Sequence, residues 1–167
     1  MKRVLVAIAI AALTGCGAGT GGASQAAAGA QGGPAPAFAL PTSTGGTLAS
    51  TAFKGKPVYM NFFATWCGPC QAEANDIGDL ARKYARQGLV TVGVDELETP
   101  AKAEQFRKDH HLPYQAIVDD GKLRDAYNVN GLPVHVFIDR LGTISTLRVG
   151  EMSKAEIDAA LRDLVAR

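Results

Sequence analysis

Residues 65–70 read Thr65-Trp66-Cys67-Gly68-Pro69-Cys70 and contain two of the three cysteines in this chain of 167 residues. A strand-like apolar run over residues 58–63 precedes them, and a helix-like run over residues 71–86 follows. Cysteines at i and i+3 lie on one helical turn, where a disulfide closes with little backbone change and adds little stability. This spacing favours a redox pair over a structural disulfide. Half of a zinc site is a further alternative, although no second cysteine pair is present.

The predicted start of the helix favours ionisation of its leading cysteine. Cys67 would be the N-cap residue and Cys70 would lie in the first turn, where free N–H groups and the helix dipole stabilise a thiolate. Pro69 lacks an N–H group and has a backbone angle preset for a first helical turn. We therefore expect Cys67 to attack a disulfide of the substrate and Cys70 to resolve the resulting mixed disulfide.

The N-terminus resembles the signal segment of a bacterial lipoprotein. A basic start precedes an apolar stretch over residues 4–13, which is too short to span a bilayer. The sequence then reads Leu13-Thr14-Gly15-Cys16, which resembles a lipoprotein cleavage box with Cys16 as the lipidated residue. Two or three acyl chains would form a stable anchor. The alternative is an ordinary cleaved signal peptide in which Cys16 has no special role.

Composition divides the chain into three predicted parts. Residues 1–15 are the signal peptide, residues 16–35 are the lipidated cysteine with a flexible, disordered linker, and residues 36–167 are one globular domain. We expect an extracytoplasmic protein that is lipid-anchored to a bacterial membrane, in a compartment that permits disulfides. The formal net charge of +1 gives no indication of a nucleic-acid partner.

Strand-like and helix-like segments alternate along the domain. Strands are predicted at 36–41, 47–53, 57–63, 89–94, 114–118, 133–138 and 143–149, and helices at 68–87, 100–110, 122–127 and 154–166. Ser153 and Glu156 predict a capping box for the last helix. The order of these elements indicates an α/β fold, in which a central mixed sheet has helices on both faces.

Two separated motifs resemble those of the thioredoxin superfamily. The first runs from Asn61 to Cys70, and the second reads Val129-Asn130-Gly131-Leu132-Pro133 and precedes an apolar strand ending at Asp139. In particular, the chain is similar to the TlpA, ResA and CcmG group of membrane-tethered thiol–disulfide oxidoreductases of bacteria. This resemblance covers residues 36–167 and implies a thioredoxin-like fold.

The resemblance also implies roles for residues beyond the cysteine pair. Pro133 matches the proline whose cis peptide bond lies against the disulfide. Glu73 matches a carboxylate that exchanges a proton with Cys70, although a solvated helix glutamate is the alternative. The residues expected to bind an extended substrate strand are Trp66, Gly131 and Leu132.

Several positions differ from related patterns. Asn61 stands where cytoplasmic thioredoxins carry a buried aspartate, as is usual in the TlpA-like group. Asn75 stands where that group often has a proline, and Val134 and His135 replace its threonines after the cis-proline. His135 either lies inside the strand, which we favour, or faces the substrate cleft and titrates near neutrality.

The predicted activity is thiol–disulfide exchange with disulfide-containing exported proteins. The resemblance implies a reductant supplied by a membrane electron donor of the CcdA or DsbD type. Its implied substrates are the haem-site cysteines of apocytochrome c and, second, copper-site cysteines of an oxidase. We expect a monomer that needs no metal and no cofactor besides its redox disulfide. Two alternatives remain: a copper chaperone that binds Cu(I) through the cysteine pair, and a thiol peroxidase of the same fold.

Overall fold

A computed structural model of the chain describes residues 29–167. The predicted signal peptide, the predicted lipidation site at Cys16 and most of the predicted linker lie outside this part. Within residues 29–167, every helix is too short or too polar to span a bilayer.

A five-stranded mixed sheet forms the centre of the fold. The strands of the described part are β1 (Ala39–Pro41), β2 (Thr47–Ala49), β3 (Val58–Phe63), β4 (Val90–Glu96), β5 (Ala116–Asp119), β6 (Val134–Ile138) and β7 (Ile144–Val149). The central sheet has the order β5-β4-β3-β6-β7. Strands β3, β4 and β5 are parallel, whereas β6 pairs antiparallel with both β3 and β7. All residues of β3 are buried, because layers of structure cover both faces of this central strand.

Helices cover both faces of the sheet, as predicted. The α-helices of the described part are α1 (Gly68–Ala85), α2 (Pro100–Asp109), α3 (Lys122–Ala126) and α4 (Lys154–Val165). Helices α1, α2 and α4 pack on the face that carries Tyr59 and Phe63. Helix α3 and the β1–β2 hairpin cover the face that carries Met60 and Phe62. The capping box predicted at the start of α4 is present.

The predicted strand at 47–53 is wrong in its second half. Strand β2 ends at Ala49, and Ser50–Phe53 form a 3₁₀ helix. Strands β1 and β2 pair with each other in a separate two-stranded sheet, so they do not extend the central sheet. Phe53 still packs against the core, which explains why its apolar side chain resembled a strand position.

Residues 29–35 also differ from the prediction, which placed them in a disordered linker. The Gly32 amide donates to the Ile144 carbonyl at 2.8 Å, the Ile144 amide donates to the Gly33 carbonyl at 2.9 Å, and Ala35 donates to Gly142 at 2.9 Å. Backbone hydrogen bonds hold this segment beside the start of β7. A prediction based on the lack of apolar side chains does not detect such bonds.

Candidate active site

The two cysteines lie at the junction of β3 and α1. Cys67 is the N-cap residue of α1, as predicted, and it forms a disulfide with Cys70 across a Cα–Cα distance of 5.2 Å. The Cys70 amide donates to Cys67 Sγ at 3.2 Å, so the sulfur receives one of the free N–H groups of the first turn. The exposed fraction is 4% for Cys67 and 2% for Cys70. The site therefore presents a small edge of the disulfide to solvent.

Glu98 fixes the backbone immediately before the cysteines. Its carboxylate accepts the Thr65 amide at 2.6 Å and the Thr65 hydroxyl at 2.7 Å, while Gln71 donates to the Thr65 carbonyl at 2.6 Å. Burial alone would raise the pKa of Glu98, but the two hydrogen bonds from Thr65 and the ammonium of Lys102 hold it below its usual value. The sequence analysis did not identify Glu98, because it lies far from Thr65 along the chain.

The second motif lies against the same region. The Leu132–Pro133 peptide bond is cis, as the resemblance implied. Leu132 is half-buried and packs against the apolar cluster that contains Cys67 and Cys70. Its backbone N–H and C=O make no hydrogen bond within residues 29–167. Gly131 is exposed beside it, so this segment offers an unpaired stretch of backbone just before β6, next to the disulfide.

Trp66 is the most exposed aromatic residue near the cysteines. The exposed fraction of this residue is 71%, although a tryptophan usually buries much of its surface. The structure thus places Trp66 on the surface directly before Cys67, where the sequence analysis expected a substrate-binding side chain.

Glu73 is buried rather than solvated. Its exposed fraction is 3%, and it lies on α1 at the i+3 position from Cys70, so both residues lie on the same helix face. Asn61 Nδ2 donates to Glu73 Oε1 at 3.3 Å, and the Met152 amide donates to Oε2 at 3.3 Å. The position predicted from the resemblance therefore holds a carboxylate in the interior, on the cysteine side of the helix.

His135 is an internal residue of β6, as the favoured interpretation had it, and its exposed fraction is 0%. Its Nε2 lies 3.4 Å from Glu73 Oε2, and its Nδ1 lies 2.8 Å from the Tyr59 hydroxyl. The sequence analysis missed these contacts. They follow from the register of the sheet, which places Asn61 of β3 directly opposite His135 of β6, so both side chains face α1.

Two further buried carboxylates lie at the end of β4. Asp95 pairs in register with Phe63, the last residue of β3, and is fully buried. Neither of its carboxylate oxygens has a hydrogen-bond partner in the described part of the chain. Burial and the nearby charge of Glu98 raise the pKa of Asp95 to about 7. Burial likewise raises the pKa of Glu96 to about 7, although the Arg124 guanidinium opposes the shift.

No group of three or more histidine, cysteine, aspartate or glutamate side chains within residues 29–167 is arranged to hold a metal ion. The Cys67–Cys70 pair itself offers the chemistry of a dithiol. A dithiol at a helix N-terminus can attack a disulfide and then close to an internal disulfide.

Comparison with known proteins agrees with this chemistry. The sequence profile of the AhpC/TSA family matches residues 31–146. A thiol–disulfide oxidoreductase named ResA, from Bacillus cereus, is 30% identical over 131 residues, which cover 78% of this chain and 76% of the relative.

Two solved structures share the fold. A thiol:disulfide interchange protein of the thioredoxin family from Chlorobium tepidum has a TM-score of 0.73 and 31% identity, covering 79% of this chain and 95% of that one. The exposed lipoprotein thioredoxin Etrx1 from Streptococcus pneumoniae has a TM-score of 0.65 and 29% identity, covering 77% and 100%. The chain therefore belongs to the AhpC/TSA family and is a thioredoxin-like thiol–disulfide oxidoreductase that acts on disulfide-containing substrates.

Proposed function

We propose that this enzyme is tethered outside the cytoplasm through a lipid on Cys16 and reduces disulfides of exported proteins. Its first candidate substrate is the haem-site cysteine pair of apocytochrome c, and its electrons come from a membrane donor of the CcdA or DsbD type. The observation that carries the proposal is the Cys67–Cys70 disulfide at the N-terminus of α1, beside the unpaired backbone of Leu132.

The proposed reaction begins with the reduced enzyme. The Cys67 thiolate attacks one sulfur of the substrate disulfide and forms a mixed disulfide, and the other substrate sulfur leaves as a thiolate. Cys70 then passes its proton to Glu73, and its thiolate attacks Cys67 Sγ. This step forms the Cys67–Cys70 disulfide and releases the second substrate thiolate. The substrate gains two electrons, and the enzyme loses them until the membrane donor reduces it again.

The surface around the disulfide supports a protein substrate. A chain in extended conformation can pair with the free N–H and C=O groups of Leu132, as strands do at a sheet edge. Trp66 offers an exposed apolar contact on the surface next to Cys67. Substrate recognition would then combine backbone hydrogen bonds, which tolerate many sequences, with one aromatic contact.

The extracytoplasmic location rests on the N-terminal sequence and on similarity. The basic start, the apolar stretch and the box that ends at Cys16 form a lipoprotein-type signal. One solved structural relative is itself named an exposed lipoprotein. Export would place the cysteine pair in a compartment where protein disulfides form and persist.

A trapping experiment tests the proposed exchange. In the full chain, Cys70→Ser removes the resolving thiol, so Cys67 should remain disulfide-linked to its natural substrate. The matched control is Cys67→Ser, which keeps Cys70 and lacks the nucleophile. Mass spectrometry of reducible adducts should identify exported proteins with a cysteine pair, apocytochrome c among them. Equal adducts from both variants would contradict the mechanism.

A Cu(I) titration distinguishes exchange from the copper-chaperone alternative. Thiolates are soft ligands that bind Cu(I), so a reduced cysteine pair is a chemically reasonable site. The proposal predicts reduction of insulin disulfides by the reduced enzyme. Tight stoichiometric Cu(I) binding together with negligible insulin reduction would instead establish the chaperone.

A further inference from the structure

His135 lies in a fully buried position between Glu73 and Tyr59. The exposed fraction of its side chain is 0%, and that of the Glu73 side chain is 2%. Its Nε2 has no hydrogen-bond partner within residues 29–167 at ordinary geometry, yet it lies 3.4 Å from Glu73 Oε2. That distance is slightly longer than a normal N–H···O hydrogen bond, so a small side-chain shift closes it.

Tyr59 determines which nitrogen of His135 carries the proton. Within residues 29–167, the Tyr59 hydroxyl has His135 Nδ1 as its hydrogen-bond partner, and Tyr59 is 1% exposed. Burial raises the pKa of Tyr59 well above its usual value, so the phenol keeps its proton. A buried hydroxyl that donated to no acceptor would incur the cost of an unmade hydrogen bond. Tyr59 therefore donates to Nδ1, which leaves Nε2 as the ring nitrogen that carries a proton.

We propose that His135 is a positioning residue for Glu73, and that its Nε2–H group holds the carboxylate ready to accept the proton of Cys70. Asn61 Nδ2 already donates to Oε1 of this carboxylate, and the Met152 amide donates to Oε2. His135 Nε2, which lies 3.4 Å from Oε2, would be a third donor to this carboxylate. Donors of this kind stabilise a carboxylate in a dry interior and fix its orientation, which proton transfer requires.

This inference rests on the proposed function, and specifically on its second step. In that step the Cys70 proton moves to Glu73, the Cys70 sulfur bonds to Cys67 Sγ, and the bond between Cys67 and the substrate sulfur breaks. His135 neither gains nor loses a proton, because its role is to orient the acceptor. Removal of His135 should slow the second step and leave the first step, attack by Cys67, almost unchanged.

A small aromatic disulfide separates the two steps. When the reduced enzyme reacts with 5,5′-dithiobis(2-nitrobenzoate), attack by Cys67 releases one coloured thiolate, and resolution by Cys70 releases a second. His135→Met should slow the second release about tenfold, the effect of losing one hydrogen bond to an ionised group, with the first release unchanged. His135→Gln keeps an N–H donor near the position of Nε2 and should largely restore the second release.

Combination with Glu73→Gln shows whether His135 acts through Glu73. Glu73→Gln alone should slow the second release, and adding His135→Met should then have little further effect, since the two residues form one unit. Fully additive effects, or a normal second release in His135→Met, would overturn the inference and leave the exchange mechanism standing. Absence of the first release from the parent enzyme would contradict the proposed function itself.

Nitrogen NMR tests the tautomer on which the inference depends, while the rate of the second release separates a positioning role from a merely structural one. The imidazole signals of His135, assigned by their loss in His135→Gln, should show a proton on Nε2 and a bare Nδ1. Tyr59→Phe is the matched variant that keeps the ring but removes the hydroxyl, and it should shift this tautomer toward a mixture. A proton on Nδ1 in the parent enzyme, reduced and oxidised, would overturn the inference even if His135→Met folds poorly.

Discussion

Glu98 holds Thr65 by two atoms at once: one carboxylate oxygen accepts the Thr65 amide at 2.6 Å, and the other accepts its hydroxyl at 2.7 Å. The Glu98 side chain is 4% exposed, so water offers little replacement for these bonds. Thr65 lies two positions before Cys67, and the Gln71 side chain of α1 donates to its carbonyl. The loop before the nucleophile is thus fixed from the β4–α2 loop as well as from α1.

The first prediction concerns this contact. Glu98→Ala should lower the free energy of unfolding by about 1.5–3 kcal/mol, because two partly buried donors of Thr65 lose a charged acceptor. Urea unfolding of the oxidised protein measures the change. Lys102→Gln is the matched control, since it removes only the exposed ammonium that pairs with Glu98. An equally large loss of unfolding free energy in Lys102→Gln would show that the effect comes from the ion pair with Lys102 instead.

Asp95 predicts a pH dependence of stability. Its pKa is about 7 in the folded protein, above the usual 3.8, so its contribution to stability is present below about pH 4 and is lost as the pH rises to about 7. The free energy of unfolding of Asp95→Asn, relative to that of the parent, should therefore rise between pH 4 and pH 7 and then level off.

Urea unfolding of both proteins across this pH range measures the difference in their free energies of unfolding. Asp163→Asn is the control, because its side chain is 69% exposed and its difference from the parent should not follow this curve. A constant difference between Asp95→Asn and the parent at every pH would show that folding does not raise the pKa of Asp95.

Trp66 should matter for protein substrates and not for folding. Trp66→Ala should change the free energy of unfolding by less than about 0.5 kcal/mol, because the side chain is mostly exposed. The KM of the Trp66→Ala variant for a protein disulfide should rise several-fold. Its rate of thiolate release from 5,5′-dithiobis(2-nitrobenzoate) should not change. Leu141→Ala, which alters a residue 91% exposed in the β6–β7 turn, is the control. An unchanged KM would show that Trp66 does not contribute to binding of the protein substrate.

Cys16 should determine where the enzyme is found in the cell. Cys16→Ser should move it from the membrane fraction to the soluble extracytoplasmic fraction, because the acyl chains have no attachment point. Cys67→Ser should stay in the membrane fraction. Immunoblots of the fractions decide the outcome, and a membrane-bound Cys16→Ser protein would contradict the lipid anchor.

Local patterns were sufficient to predict much of the architecture. The position of Cys67 at a helix N-cap follows from the residues around it, and the capping box at Ser153 follows from a spacing of three residues. The contacts of His135 and Glu98 depend on strand register and on segments far apart in the chain, which a single sequence does not specify. For residues 29–35, backbone hydrogen bonds outweigh a composition that is typical of linkers.

Residues 29–35 place the start of the described chain at the end of the sheet that lies opposite the disulfide. These residues bind the chain around Ile144, at the end of the sheet where β3 begins and β6 finishes. Cys67 follows the other end of β3, about 20 Å away at ordinary strand rise. A tether from Cys16 would then join the domain at one end of the sheet, and the disulfide would lie at the opposite end. A flexible tether joined at that end would leave the reactive end free to meet both the proposed membrane donor and exported substrates.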